Sequence, residues 1–240
     1  RGWFGVILEG NDEWSTDLFP SIGSVWKYHS DADRIFIDVP IGLPSTERRA
    51  CDVEARNRLK RRGRSVFYTP IREAVYACNI ETAKRYNEDA AGFSVQNQAW
   101  SVVSRIREVD EFLDMYPSAR DRLFETHPEV CFYALNGRAP LPEPKTTEAG
   151  VRHRLELLEE EYDEARALFE ASVDEYTTPA YAPMVGGVDD VLDAMVAAIT
   201  ARRDPSERST LPGDPPRDER DLPMQIVYPS DQAQTRLTAL

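Results

Sequence analysis

The sequence predicts an α/β fold, because short apolar segments typical of strands alternate with segments of helical periodicity. Residues 3–8 (WFGVIL) and 34–40 (RIFIDVP) are rich in the β-branched and aromatic residues that favour strands. Residues 188–202 place apolar side chains on one helical face, as in a helix packed against a core. With 240 residues the chain can bury a substantial core. We therefore expect one α/β domain over residues 1–203 and a proline-rich extension over residues 204–240.

A hairpin and a sharply ended strand are predicted at the start of the chain. Residues 9–12 (EGND) have the composition of a turn that leads from the first strand into a second one containing Trp14. Residues 34–40 form the next predicted strand, which a turn of sequence PIGLP ends abruptly. Asp38 then lies at the carboxyl end of that strand.

Helices are predicted to dominate the rest of the chain. Residues 46–62 read as a charged helix, and residues 71–116 as a helical insertion that is interrupted near residues 92–96. The remaining predicted elements are a short strand at 123–125, a helical apolar stripe at 152–173, the helix at 188–202 and a strand at 224–229.

Acidic side chains outnumber basic ones, 42 against 29, and give a net charge of −13. This charge repels polyanions at low salt and argues against a simple nucleic-acid clamp. Lysine occurs at only four positions. Acidic, lysine-poor surfaces suit molar salt, in which the Debye length shrinks to about 3 Å. We interpret the charge as a halophilic adaptation, which says little about the partner.

Several classes of protein are disfavoured by the sequence. The three cysteines are widely spaced and form no CxxC pair, so neither a disulfide framework nor a zinc knuckle is predicted. No apolar run approaches the ~20 residues that cross a bilayer, and the first residues lack a signal-peptide pattern, so we expect a cytoplasmic protein. The motifs GxxxxGK[ST], GxSxG and HExxH do not occur.

Carboxylates are the best candidates for chemistry. Asp38 lies in an apolar strand, where a carboxylate must be paired or neutralised, and an Mg²⁺ or Mn²⁺ ion would do so. The alternative is that Asp38 caps the following turn. Asp190 and Asp193 lie one helical turn apart and could share a metal with Asp38. Alternatively, these two acidic residues only favour the helix macrodipole.

The segment LFETHPE holds two further polar candidates. Glu125 ends an apolar run, as Asp38 does. His127 precedes Pro128, and we interpret it as a residue that hydrogen-bonds locally at a bend rather than as a catalytic base.

Basic residues cluster between residues 48 and 64, where they exceed acidic ones by six. Arg48, Arg49 and Arg56 could therefore bind phosphates, although a solvated helix face explains the pattern as well. Lys145, in a turn-rich segment, could also touch a phosphate, and the alternative is an ordinary surface lysine.

Several motifs follow one another in a set order along nearly the whole chain. They are IDVPIGLP, RRACDVEARNRL, SVFYTP, FETHPEVCF, PEPKTTEAG, VRHRLELL, VDDVLDAM and LPMQIVYP. Together they resemble the prokaryotic domain-of-unknown-function family 429, whose members are described as predicted nucleases of the ribonuclease H fold. The resemblance implies a ribonuclease-H-like mixed sheet flanked by helices, with a helical insertion.

The resemblance also implies site residues. Asp38 matches the family's strand aspartate, and Glu125 matches its glutamate before HPE. The DVLDAM segment is similar to the D-x-x-D-A helix of Holliday-junction resolvases, which points to Asp190 and Asp193. The family pattern begins with a strand carrying Gly-Val-Asp ahead of the RGGW-like turn. Because this chain starts at RGW, we expect that strand to precede Arg1 in the full gene product.

The function implied is that of a metal-dependent nuclease that hydrolyses phosphodiester bonds of nucleic acid. Asp38, Glu125, Asp190 and Asp193 would bind Mg²⁺ or Mn²⁺, with two ions about 3.5–4 Å apart if the site is complete. The residues expected to contact substrate are Arg48, Arg49, Arg56 and Lys145. The alternatives are a catalytically inactive ribonuclease-H-fold binding or scaffold protein, and a phosphoesterase that acts on small nucleotides.

Overall fold

The computed structural model describes residues 2–10, 12–181 and 184–230, which form a mixed α/β structure with small sheets. Its strands are β1 (Trp3–Glu9), β2 (Glu13–Phe19), β3 (Ile35–Ile37), β4 (Leu123–Glu125), β5 (Arg208–Leu211) and β6 (Ile226–Pro229). Its helices are α1 (Ile22–Tyr28), α2 (Ala50–Leu59), α3 (Arg72–Val75), α4 (Ile80–Ala91), α5 (Asn97–Met115), α6 (Pro128–Leu135), α7 (Glu148–Glu159), α8 (Ala165–Tyr176) and α9 (Val188–Arg202). The α/β class that was predicted from the alternation of strand-like and helical segments is therefore confirmed.

Packing divides the chain into two compact units that alternate along the sequence. The first unit contains the described residues of 2–38, 126–208 and 228–230, and the second contains 39–125 and 209–227. The expected division at residue 203 differs from this one, because residues 209–227 pack with residues 39–125. Within the second unit, Asp218 accepts hydrogen bonds from the Leu43 amide at 2.9 Å and from Arg72 at 2.5 Å. Contacts between residues so far apart in the chain leave no local signal in the sequence.

The hairpin of the first unit has the predicted form. Strands β1 and β2 pair antiparallel, with Trp3 opposite Phe19 and Glu9 opposite Glu13. Alternate residues of β2 are partly buried and exposed, which is the period-two pattern of a strand with one face on a core.

Helix α9 is the central element of the first unit. It packs against β1, β3, α6, α7 and α8. The residues that it buries are Val191, Leu192, Met195, Val196, Ala197, Ile199 and Thr200. Its bounds, Val188–Arg202, coincide with the predicted helix, because the apolar face and the following Asp-Pro dipeptide mark both ends clearly.

The predicted stripe at residues 152–173 is divided between two helices, α7 and α8. Between them lies Tyr162, whose side chain is buried and whose hydroxyl donates to the Asp12 carbonyl at 2.9 Å. This long-range hydrogen bond lies at the point where the two helices separate. The periodicity of the apolar residues alone does not reveal that separation.

The second unit contains the predicted helical insertion. Helices α3, α4 and α5 fill residues 72–115, and the predicted interruption near 92–96 separates α4 from α5. Gly92 ends α4 with a φ of +70°, a left-handed conformation that glycine adopts without steric cost, and its amide donates to the Glu88 carbonyl.

Three elements, α1, α6 and β5, were not among the predicted ones. The sequence did carry a signal for α1, because Ser21 caps it by accepting a hydrogen bond from the Ser24 amide at 3.1 Å. Among the described residues, no helix is both long enough and apolar enough to cross a membrane.

Candidate metal centre

Three aspartates converge at the start of helix α9. Asp189, Asp190 and Asp193 each offer a carboxylate oxygen, and these oxygens lie within 4.8 Å of one another. Their spacing along the helix explains the convergence, because residues three and four apart project from one face. The sequence predicted Asp190 and Asp193 but missed Asp189, although its separation of four residues from Asp193 carried the same signal.

Asp190 also stabilises the start of the helix. Its Oδ2 atom accepts a hydrogen bond from the Gly186 amide at 2.6 Å. Asp189 and Asp190 both lie in the first turn, where a negative charge favours the helix dipole. The position of Asp190 in the first turn thus agrees with the alternative interpretation, interaction with the helix macrodipole, and its Oδ1 atom is the oxygen not bound to the Gly186 amide.

Lys145 brings a positive charge into this cluster. Its Nζ atom lies 2.7 Å from Oδ2 of Asp193 and 3.1 Å from Oδ2 of Asp189. Partial burial lowers the pKa of Lys145, but Asp193 and Asp189 more than offset it, so the pKa is raised and the ammonium keeps its charge. Lys145 was expected to contact substrate, and in the structure its first partners are these two aspartates.

A tight turn holds Lys145 in place. Thr147 caps α7, and both its amide and its hydroxyl donate to the Pro144 carbonyl, at 3.1 and 2.8 Å. Gly150 completes the turn, since its amide donates to the Thr147 hydroxyl at 3.1 Å. A Cβ atom on Gly150 would lie only 1.9 Å from the Pro144 carbonyl oxygen, so the close approach requires glycine.

Asp38 follows β3 directly and belongs to the same electrostatic cluster. Its side chain reaches solvent, yet the protein packed around it raises its pKa, with the charge of Asp190 adding to the effect and His127 and Lys145 opposing it. Burial likewise raises the pKa of Asp193 to about 7, a value that Lys145 lowers and Asp38 raises. The structure thus brings Asp190 and Asp193 together, and Asp38 interacts electrostatically with both.

His127 adjoins this cluster at the start of α6. Its backbone carbonyl accepts from the amides of Val130 and Cys131, which are the first hydrogen bonds of the helix. Its Nδ1 atom, however, is buried and has no hydrogen-bond partner among the described residues. The ring therefore keeps an unused nitrogen close enough to Asp38 for the two side chains to interact electrostatically.

Glu125, the fourth predicted ligand, lies in the second unit with a different partner. Its two oxygens accept from the Nη1 and Nη2 atoms of Arg49, each at 2.7 Å, and Oε2 also accepts from the Ile41 amide at 2.7 Å. A metal ion could bind Glu125 only by displacing Arg49. Its role as a metal ligand therefore stays a prediction, while its contact with Arg49 is direct.

Arg49 is enclosed by this cluster. Its side chain is 1% exposed, and besides Glu125 it binds Asp52, with Nη2 2.6 Å from Oδ1. Burial acts against its charge, but Asp52 and Glu125 outweigh burial and raise the pKa of Arg49. Direct contact with a polynucleotide, as predicted for Arg49, would require this buried network to open.

The other two predicted phosphate contacts, Arg48 and Arg56, flank one aromatic ring. Their guanidinium carbons lie 4.4 and 4.5 Å from the centre of the Tyr68 ring, within cation–π range. Arg48 is exposed and Arg56 partly buried. Close to them in sequence, the turn Lys60–Ser65 exposes Lys60, Arg61 and Arg64. The exposed residues Arg48, Lys60, Arg61 and Arg64 therefore remain available to an anionic partner, whereas Arg49 is enclosed.

The aspartate cluster suits a hard divalent cation. Its donors are carboxylate oxygens, which Mg²⁺ and Mn²⁺ prefer. The Lys145 ammonium, 3.1 Å from Asp189 and 2.7 Å from Asp193, already neutralises part of their charge. Asp38, Asp189, Asp190 and Asp193 are therefore the residues that could hold a metal.

Comparison with known proteins gives one match. Residues 1–217 fit the model of a family described as "Protein of unknown function (DUF429)". No curated protein and no solved structure matches the chain.

Proposed function

The chain belongs to the DUF429 family, and we propose that it is a divalent-metal-dependent nuclease with a ribonuclease-H-like fold. The observation that supports this proposal most is the convergence of Asp189, Asp190 and Asp193 within 4.8 Å, beside Asp38. Carboxylates at a strand end and on a helix that packs against that strand are the arrangement that the family resemblance implies.

The cluster favours cation binding on electrostatic grounds. Burial and mutual repulsion raise the pKa of Asp38 and of Asp193, so the ionised carboxylates are costly when no further cation is bound. A bound Mg²⁺ or Mn²⁺ would relieve that cost, polarise a water molecule and neutralise the phosphate. Lys145 adds a fixed positive charge beside the same carboxylates.

Nucleic acid, rather than a small nucleotide, is the substrate that the basic segment favours. Residues 55–72 contain seven basic and no acidic side chains, in a chain whose net charge is −13, and Lys60, Arg61 and Arg64 of this segment are exposed. Because polynucleotides bind through many phosphates at once, a run of exposed cations strengthens their binding more than that of a mononucleotide.

Loss of a cluster carboxylate should abolish cleavage. We expect the wild-type protein, with Mn²⁺ in high salt, to cleave at least one of a panel of DNA and RNA substrates. Asp38→Asn and Asp190→Asn should each cut the rate by at least roughly 100-fold. Loss of a residue that only hydrogen-bonds a metal ligand already costs up to about 100-fold, and loss of a ligand should cost no less. Asp33→Asn, at an exposed aspartate, is the matched control and should retain the wild-type rate.

Three results of this assay would count against the nuclease. Equal cleavage by wild type and Asp38→Asn would reject the site. Binding of nucleic acid without cleavage would favour a non-catalytic ribonuclease-H-fold protein, an alternative supported by the engagement of Glu125 with Arg49. Hydrolysis of mononucleotide esters alone would favour a small-nucleotide phosphoesterase.

The basic turn should contribute to nucleic-acid affinity. Reversing three exposed charges, in the triple variant Lys60→Glu, Arg61→Glu and Arg64→Glu, should weaken binding by about 10-fold or more and flatten its salt dependence. Fluorescence anisotropy over a salt series measures both quantities.

A triple variant with the same change in net charge controls for long-range repulsion. It reverses Lys27, Arg85 and Arg152, three exposed cations outside the basic segment. If both triple variants lose the same affinity, the basic turn has no specific role in binding.

A further inference from the structure

The ammonium of Lys145 lies among carboxylates that a pair of metal ions would otherwise share. We propose that Lys145 takes the place of one metal ion, so that the centre binds a single divalent ion. This inference rests on the proposed metal dependence of the site. It departs from the two-ion arrangement that the sequence led us to expect.

The contacts of Lys145 support this assignment. Nζ is bound by Oδ2 of Asp193 at 2.7 Å and by Oδ2 of Asp189 at 3.1 Å, which are charge-assisted hydrogen-bonding distances. A cation that used those two oxygens would meet the ammonium directly. The oxygens left for an ion are those that Lys145 does not bind, together with Asp38 and the second oxygen of Asp190.

The position of Lys145 is fixed by the backbone. A freely mobile surface lysine would leave the aspartates whenever an ion approached. Here the preceding residue, Pro144, is held by Thr147 and by the close packing of Gly150. The Lys145 side chain is 36% exposed, so about two thirds of it is covered. The backbone that carries Lys145 is therefore anchored, and most of the side chain that reaches Asp189 and Asp193 is covered.

The charges lead to the same conclusion. With four ionised carboxylates, Lys145 and one divalent ion leave a single negative charge. A second divalent ion beside Lys145 would make the centre positive and would place two like charges close together, which costs free energy. Removal of the ammonium frees the space that a second ion needs and restores the negative charge that would attract it.

Metal stoichiometry tests the inference. Mn²⁺ bound per chain is counted by titration calorimetry and by electron paramagnetic resonance at about pH 8, above the pKa of Asp193 at about 7. We expect one ion in the wild type and two in Lys145→Met, which keeps most of the length of the side chain and removes its charge. Lys27→Met, which removes an exposed lysine of the same unit, should still bind one.

The outcomes separate this inference from the proposed nuclease. Two ions in the wild type, none in the wild type, or one in Lys145→Met would each overturn it. Lys145→Gln, checked for folding by circular dichroism, provides a second neutral variant with the same expected count if the methionine variant does not fold. Counts of one and two in a protein that cleaves no nucleic acid would reject the nuclease and keep the inference. Cleavage by a wild-type protein that binds two ions would support the nuclease and reject the inference.

Discussion

Replacing Arg49 with leucine should lower the free energy of unfolding by roughly 3–5 kcal/mol, the range seen when one partner of a buried ion pair is removed. Arg49 is 1% exposed and binds both Glu125 and Asp52 at distances of 2.7 Å or less. Without the guanidinium, two carboxylates would remain in a region that water does not reach. Urea denaturation monitored by circular dichroism measures the loss.

The neighbouring residue offers a matched control. Arg48→Leu removes the same charge at an exposed position, so its cost should stay below about 1 kcal/mol. A second comparison replaces Arg49, Asp52 and Glu125 together by apolar residues. Because apolar groups of similar volume can substitute for a buried ion network, this variant should recover much of the stability that Arg49→Leu loses. A cost of Arg49→Leu no larger than that of Arg48→Leu would contradict the assignment.

Raising the pH from about 5 to about 8 without divalent ions should destabilise the wild-type protein. Burial raises the pKa of Glu125 to about 7, even though Arg49 lowers it. A raised pKa means that the folded protein holds the proton more tightly than the unfolded chain. The resulting stabilisation is complete below the ordinary value of 4.5 and is lost as the pH passes 7. Moving the pKa from 4.5 to about 7 corresponds to about 3 kcal/mol.

Glu125→Gln isolates this contribution. Asp193 also has a pKa raised to about 7 and should act with the same sign, so the wild-type curve contains both effects. Urea titrations at constant salt, with a chelator present, should therefore give a shallower fall with pH in Glu125→Gln than in the wild type. Parallel curves for the two proteins would show that Glu125 does not titrate in this interval.

The parts of the fold that sequence reasoning predicted are those defined by local patterns. The β1–β2 hairpin follows from alternation around a turn, and α9 follows from its apolar face, so both were found with nearly correct bounds. The division into two units depends on contacts such as that between Asp218 and Leu43. Nothing in the sequence around either residue indicates its contact with the other. The proline-rich composition of residues 204–240 therefore led us to place the boundary at residue 203 instead.

The candidate site divides in the same way. Helical spacing was enough to pair Asp190 with Asp193, and the strand end was enough to select Asp38. Sequence reasoning placed Glu125 among the metal ligands, and only the structure identifies Arg49 as its partner. The contact of Lys145 with α9 spans 48 residues and was likewise beyond the reach of any spacing rule.

Gly150 gives the metal centre an unexpected sensitivity. Any side chain at this position would meet the Pro144 carbonyl oxygen at 1.9 Å and push that peptide away from α7. Lys145 is the next residue, so a shift of the peptide would move its side chain and weaken its salt bridges with Asp189 and Asp193. If Lys145 takes the place of one ion, as we propose, a residue without charge thus sets how many cations its neighbours can hold. Variation at Gly150 could change the ion requirement of the centre while every acidic residue stays the same.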